Sequence, residues 1–104
     1  MRRAARTDGN HAQIMAALVK AGIRVLSLAP MGKGCPDLLC GLRGVNVLLE
    51  VKDPAQDPNK RALTPAERHF HETWAGQVCV VETAEQAVLA VVEAARPPVE
   101  GPNP

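Results

Sequence analysis

Three charged residues, Asp37, Glu50 and Lys52, stand at the ends of apolar runs in the segment "GCPDLLCGLRGVNVLLEVK" from 34 to 52. The runs "LLCGL" and "VNVLLEV" flank the turn-forming pair "RG", a pattern that predicts a β-hairpin. Burying an ionised group beside such strands is costly unless it is paired or holds a metal. The strand period of two places Val47, Leu49 and Val51 on one face and Leu48, Glu50 and Lys52 on the other. Glu50 and Lys52 then point the same way, about 7 Å apart along the strand. Antiparallel pairing brings Asp37, at the beginning of the first strand, beside the end of the second. Two carboxylates there are hard oxygen ligands of the kind Mg²⁺ or Mn²⁺ takes, with positions left for water and phosphate. A Lys beside a metal-bound water orients it, lowers its pKa or steadies charge growing on a phosphate. The same spacing also suits a surface salt bridge between Glu50 and Lys52, with Asp37 a turn residue after Pro36. Spacing alone leaves both readings open.

The elements that must position these groups follow from periodicity and caps. "NHAQIMAALVKAG" sets Ile14, Leu18 and Ala21 on one helical face, with Asp8 or Asn10 as N-cap and Gly22 as a stop. "IRVLSL" (23–28) alternates as a strand, and "APMGKG" is a loop in which Gly32 and Gly34 permit close approach. After the hairpin, "DPAQDPNKRAL" is expected to be an exposed loop. "TPAERHFHETW" carries Thr64 as N-cap, Pro65 at the first helical position and Glu67 as the third member of a capping box. Ala66, Phe70 and Trp74 share one face of that helix, which Gly76 ends. "QVCVVE" is expected as a buried strand, and Thr83 with Gln86 as a second capping box for a last helix through Ala95. The expected order αβββαβα describes an α/β (α+β) fold, a mixed four-stranded sheet with flanking helices. Residues 1–6 are expected to be a flexible basic arm, 7–96 a single domain and 97–104 a disordered tail.

Composition narrows the classes of partner. One Phe, one Trp and no Tyr leave little surface for an aromatic platform along a single strand. No apolar run approaches the roughly 20 residues that span a bilayer, and three cysteines fit reduced thiols better than disulfides. A location in the cytoplasm is expected. Positions 1–61 hold ten Lys or Arg against five acids, and positions 62–104 two against six. Such polarity suits either a basic face for a polyanion or an ordinary mixed surface.

The residues around the charged trio resemble a known family. "GCPDLL" followed by "LLEVK" looks like the PD-(D/E)xK nuclease signature. The flanking blocks "DGNHAQIMAALVKAG", "SLAPMGKGCPDLLCG" and "LTPAERHFHETWAGQVCVVET" resemble the VRR-NUC and Holliday-junction-resolvase-like branch of small nucleases, often phage-borne. The resemblance spans about positions 7–95 and implies a restriction-endonuclease-like core inside a bacterial cell. It further implies that Asp37 and Glu50 bind Mg²⁺ or Mn²⁺ with the Val51 backbone carbonyl, and that Lys52 positions the attacking water. The reaction would be hydrolysis of DNA phosphodiesters to a 5′-phosphate and a 3′-hydroxyl, on branched or duplex DNA, by a homodimer. The chain departs from the branch at two accessory places. His11, with Asp8 and Gln13 nearby, stands where many relatives carry an acid in the opening helix, and Glu67 where many carry a Gln.

Other candidates are weaker. Cys35, Cys40, Cys79, His69 and His71 have no zinc-ligand spacing. Lys33, in a Gly-flanked loop near Asp37, and Lys60 with Arg61, after the catalytic strand, are either DNA-backbone contacts or solvated side chains. A non-catalytic DNA-binding or assembly module on the same fold is the alternative function.

Overall fold

The computed structural model describes residues 9–98. Its elements are helix α1 (His11–Lys20), strand β1 (Arg24–Ser27), a 3₁₀ turn (Ala29–Met31), strands β2 (Leu38–Leu42) and β3 (Val45–Val51), a helical turn α2 (Pro58–Arg61), helix α3 (Pro65–Thr73), strand β4 (Gln77–Val81) and helix α4 (Ala84–Ala94). The expected arm, Asp8 and most of the expected tail lie outside the described residues.

The sheet runs β1-β2-β3-β4. Its first three strands form an antiparallel meander, and β4 joins β3 in parallel, so the sheet is mixed. Arg43 (φ 52°) and Gly44 (φ 80°) form the two-residue turn between Leu42 and Val45. Two successive positive φ values match the right-handed twist of paired strands. That turn fixes the register Leu38↔Leu49 and Leu39↔Leu48, and with it which side chains share a face.

One face of the sheet meets α1 and α4. Ile14 and Leu18 of α1, Leu38, Cys40, Val47, Leu49, Val51 and Val81 of the strands, and Ala87 and Val91 of α4 form one closed aliphatic core. Positions 14 and 18, and 87 and 91, lie one helical turn apart, and the strand positions alternate. The other face carries Leu39, Leu48 and Glu50 and is covered in part by α3, whose Phe70 and Trp74 border a cleft with Leu39 and Leu48.

The structure corrects several local expectations. β4 lies at the edge of the sheet rather than being buried, with Val80 45 % exposed, because among the described residues only β3 pairs with it. The polar run after β3 is interrupted by α2, entered through Asp57 with Pro58 at its first position. Helix α3 has the expected capping box, but its C-cap is Trp74, two residues before Gly76. At α4 the Thr83 side chain caps as expected, whereas Gln86 Oε1 accepts from the Glu82 N–H at 2.8 Å rather than from that of Thr83. Among the described residues no helix is long and apolar enough to cross a membrane.

Candidate functional site: a carboxylate pair and a lysine at a strand end

Asp37 extends the β2 ladder by one residue. Its N–H donates to Leu49 O at 3.0 Å, and its carbonyl accepts from the Leu28 N–H at 2.7 Å. Its Oδ2 accepts the Val51 N–H at 2.7 Å, which fixes the carboxyl against the end of β3. The loop before it, containing the fully buried Pro36, presses onto α3. At Gly34 (φ +81°) a Cβ would lie 2.5 Å from the Ala66 carbonyl oxygen, so only glycine fits between loop and helix.

Glu50 and Lys52 emerge on the α3 side of β3 and are nearly closed off, at 3 % and 7 % exposure. The main chain beyond β3 is held on two sides. The Lys52 N–H donates to Val81 O at 2.9 Å, and Asn10 Nδ2 donates to Lys52 O at 3.1 Å and to Glu82 O at 2.7 Å. Asn10 is the N-cap residue of α1 but makes no side-chain cap. It ties the helix start to the ends of β3 and β4 instead, a role that local sequence does not announce.

Lys52 Nζ lies 2.9 Å from Glu67 Oε1 and 3.9 Å from Glu50 Oε2. Glu67 Oε1 also accepts the Thr64 N–H at 2.9 Å, so the capping residue of α3 is at the same time the nearest anion to Lys52. One turn further along α3, His71 Nε2 stands 4.0 Å from Glu50 Oε1. Among the described residues those two buried atoms have no hydrogen-bond partner. In sequence His71 has no zinc-ligand spacing and reads as a side chain on the helix surface. The available signal was its i, i+4 spacing from Glu67, which puts both on one helix face.

The electrostatics follow from burial and crowding. Burial first, then the negative charge of Asp37 and Glu67 and a hydrogen-bond interaction with the Asp37 carboxyl, push Glu50 up to about 9 against the pull of Lys52. Burial also presses on Glu67, but the Thr64 N–H, the Lys52 ammonium and the Thr64 hydroxyl outweigh it and leave that carboxyl below its ordinary value. His71 is lowered, chiefly by burial, with Lys52 adding to the effect and Glu67 opposing it. Cys35 is raised by burial and then by the charges of Glu50 and Asp37, which places its thiol within their field.

The remaining expected site residues stand apart from this cluster. His11 is 7 % exposed, on the buried stripe of α1 with Ile14 and Leu18, and its Nδ1 has no partner among the described residues. Lys33 is exposed and in a left-handed conformation (φ 58°), and Lys60 is exposed on α2. Arg61 is half-buried, with Nη1 3.8 Å from Glu82 Oε2. Cys35, Cys40 and Cys79 are free thiols.

Among the described residues no group of three or more His, Cys, Asp or Glu is arranged to hold a metal ion. The donor set that fits a cation is smaller: the Asp37 and Glu50 carboxyls, one of whose oxygens is buried and unpartnered, beside the main chain of Val51. Oxygen donors of this type suit a hard divalent ion that keeps several waters. Comparison of the chain with protein-family models, with curated proteins and with solved structures found no match.

Proposed function

We propose that this chain is a metal-dependent nuclease with a restriction-endonuclease-like core, hydrolysing DNA phosphodiesters with little sequence specificity and favouring branched DNA. The observation that carries the reading is the pairing of two carboxyl groups, Asp37 and Glu50, at adjacent strand ends next to a nearly buried lysine. A fold gains nothing in stability from crowding like charges in a desolvated place. A divalent cation relieves that crowding, and a strongly raised carboxyl such as that of Glu50, set in a recess beside charged partners, marks a candidate working site.

In this reading Asp37, Glu50 and the Val51 carbonyl hold Mg²⁺ or Mn²⁺, which when bound polarises the scissile phosphate and acidifies a water. Asp37 is oriented for that task by the Val51 N–H, and Glu50 by the rigid strand it stands on. Lys52, held between Glu50 and Glu67, hydrogen-bonds the attacking water and steadies negative charge on the phosphate oxygens. Glu67, 2.9 Å from Nζ, fixes where the ammonium points. The exposed Lys33 and Lys60 supply positive charge toward the DNA backbone. A homodimer would present two such sites, one for each strand of a junction.

The test is cleavage of supercoiled plasmid, linear duplex, single strand, 5′ flap and four-way junction in Mg²⁺ and in Mn²⁺, beside Lys52→Ala. Metal-dependent cutting that the variant loses supports the reading, and the preferred substrate identifies the branch. A wild-type protein that binds DNA and cuts none of these in either metal makes the chain a binding or assembly module.

A further inference from the structure

The chain's two large aromatic side chains are in contact with each other. Phe70 and Trp74, one helical turn apart at the end of α3, stack with centroids 5.1 Å apart and planes 17° apart. Their composition argued against an aromatic platform running along a strand. Their geometry builds something smaller, a single shelf on the wall of a cleft of about 480 Å³. Leu28, Leu39 and Leu48 also line this cleft. Asn46 and Gln77, whose side-chain amides offer both donors and acceptors, line it as well.

The shelf is constructed rather than incidental. Trp74 stays 46 % exposed although it is stacked on Phe70. Gly76 makes its placement possible, since a Cβ there would lie 2.8 Å from Trp74 Nε1. The cleft also adjoins the carboxylate site. Leu48 precedes Glu50 by one pleat on the same strand face, and Cys35, another lining residue, feels the charges of Glu50 and Asp37. From the helix side, His71 stands against Glu50 with its ring 6.5 Å from that of Phe70.

We infer that this cleft receives one unpaired nucleobase, stacked on Trp74 with its edge toward Asn46 and Gln77, beside the bond to be cut. A flat aromatic ring flanked by aliphatic side chains and two amides matches a base, which offers a π-face to stack and an edge of donors and acceptors. A fully paired duplex keeps its bases stacked inward and cannot fill the cleft without extruding one. The inference rests on the nuclease reading for its polymer and supplies that reading with a source of structure selectivity.

Trp74 is the only tryptophan of the chain, so its fluorescence reports on this one place. In EDTA, the protein is titrated with two single-stranded oligonucleotides of equal length, one with every base and one with abasic residues in its centre, while anisotropy follows binding. The expected result is quenching of Trp74 by the base-bearing strand only, with affinity for it roughly tenfold higher than for the abasic strand. Trp74→Ala should abolish that preference and Trp74→Phe should keep most of it. Gly76→Ala should reduce it by displacing the indole. Equal affinity for the two strands, or no binding of either, overturns the inference. If Mg²⁺-dependent cutting persists beside equal affinity, the nuclease reading survives the loss. If the base preference holds and no substrate is cut, the nuclease reading fails and the base site stands.

Discussion

On the face turned toward α1 and α4, the central strands close off Leu38, Cys40, Val47 and Leu49 completely. On the other face the same sheet leaves Leu26 60 % and Val80 45 % exposed, opens a cleft under α3, and buries two of the chain's charged groups, Glu50 and Lys52. Alternate residues of β3 thus serve opposite ends. The closed face is an aliphatic layer in which each side chain is stabilised by removal from water. The open face is thinly covered, and its charges are tolerated because backbone groups, the Lys52–Glu67 pair and the rigid layer beneath fix them. A carboxylate pair needs such backing, since a soft support would let the two groups move apart and relieve their repulsion.

The largest expected difference between the faces is in activity. Lys52→Ala should lower cleavage roughly 10²–10⁴-fold, the usual range for removing a positioned acid–base group, while circular dichroism still shows the native fold. A core truncation should do the reverse. Leu49→Ala should lower unfolding free energy by about 3 kcal/mol in denaturant titration, from lost burial and the cavity left behind. Leu48→Ala, its neighbour on the open face, should lose about half as much, because the cleft already leaves that side loosely packed.

The carboxylate pair predicts an unusual pH dependence for the metal-free protein. Glu50 is held up to about 9 in the folded chain against an ordinary value of 4.5, so the folded state binds this proton more tightly than the unfolded state. Its contribution to stability is complete below pH 4.5 and is lost as the pH rises toward 9. Glu67, whose carboxyl is lowered, acts in the opposite sense and loses its contribution as the pH falls below its ordinary range. Melting temperatures in EDTA should therefore fall between pH 5 and 9 by about 5 °C or more, and Glu50→Gln should flatten that fall. The smallest effect is at the cap. Thr64→Ala should destabilise the protein by about 1 kcal/mol, and Glu67→Gln should change stability less than it changes the pH profile of cleavage.

Much of this architecture was legible because it is written locally. The Arg43–Gly44 turn, the Thr64–Glu67 capping box and the alternation along β3 each depend on residues within a few positions of one another. The convergence of Asp37 with the end of β3 follows from antiparallel pairing alone. What escaped reading depends on distant partners. Asn10 reads as a cap and instead holds two strand ends, 42 and 72 residues away in sequence. The exposure of β4 is decided by its place at the end of the sheet, where among the described residues no further strand pairs with it, and its apolar sequence does not reveal that. His71 becomes a neighbour of Glu50, and the Phe70–Trp74 pair comes to line a cleft with Leu39 and Leu48, only once α3 lies over the open face.

The most direct test of the carboxylate pair as a cation site is the melting temperature of wild type and Asp37→Asn at pH 8, in EDTA and in millimolar Mg²⁺ or Mn²⁺. Asparagine keeps an acceptor for the Val51 N–H and removes the charge, so the variant should remain folded. A cation that binds only the folded protein must raise its melting temperature by mass action. A cation held by Asp37 and Glu50 gives a rise in wild type that is absent from Asp37→Asn. No rise in wild type, or an equal rise in both, would contradict such a site.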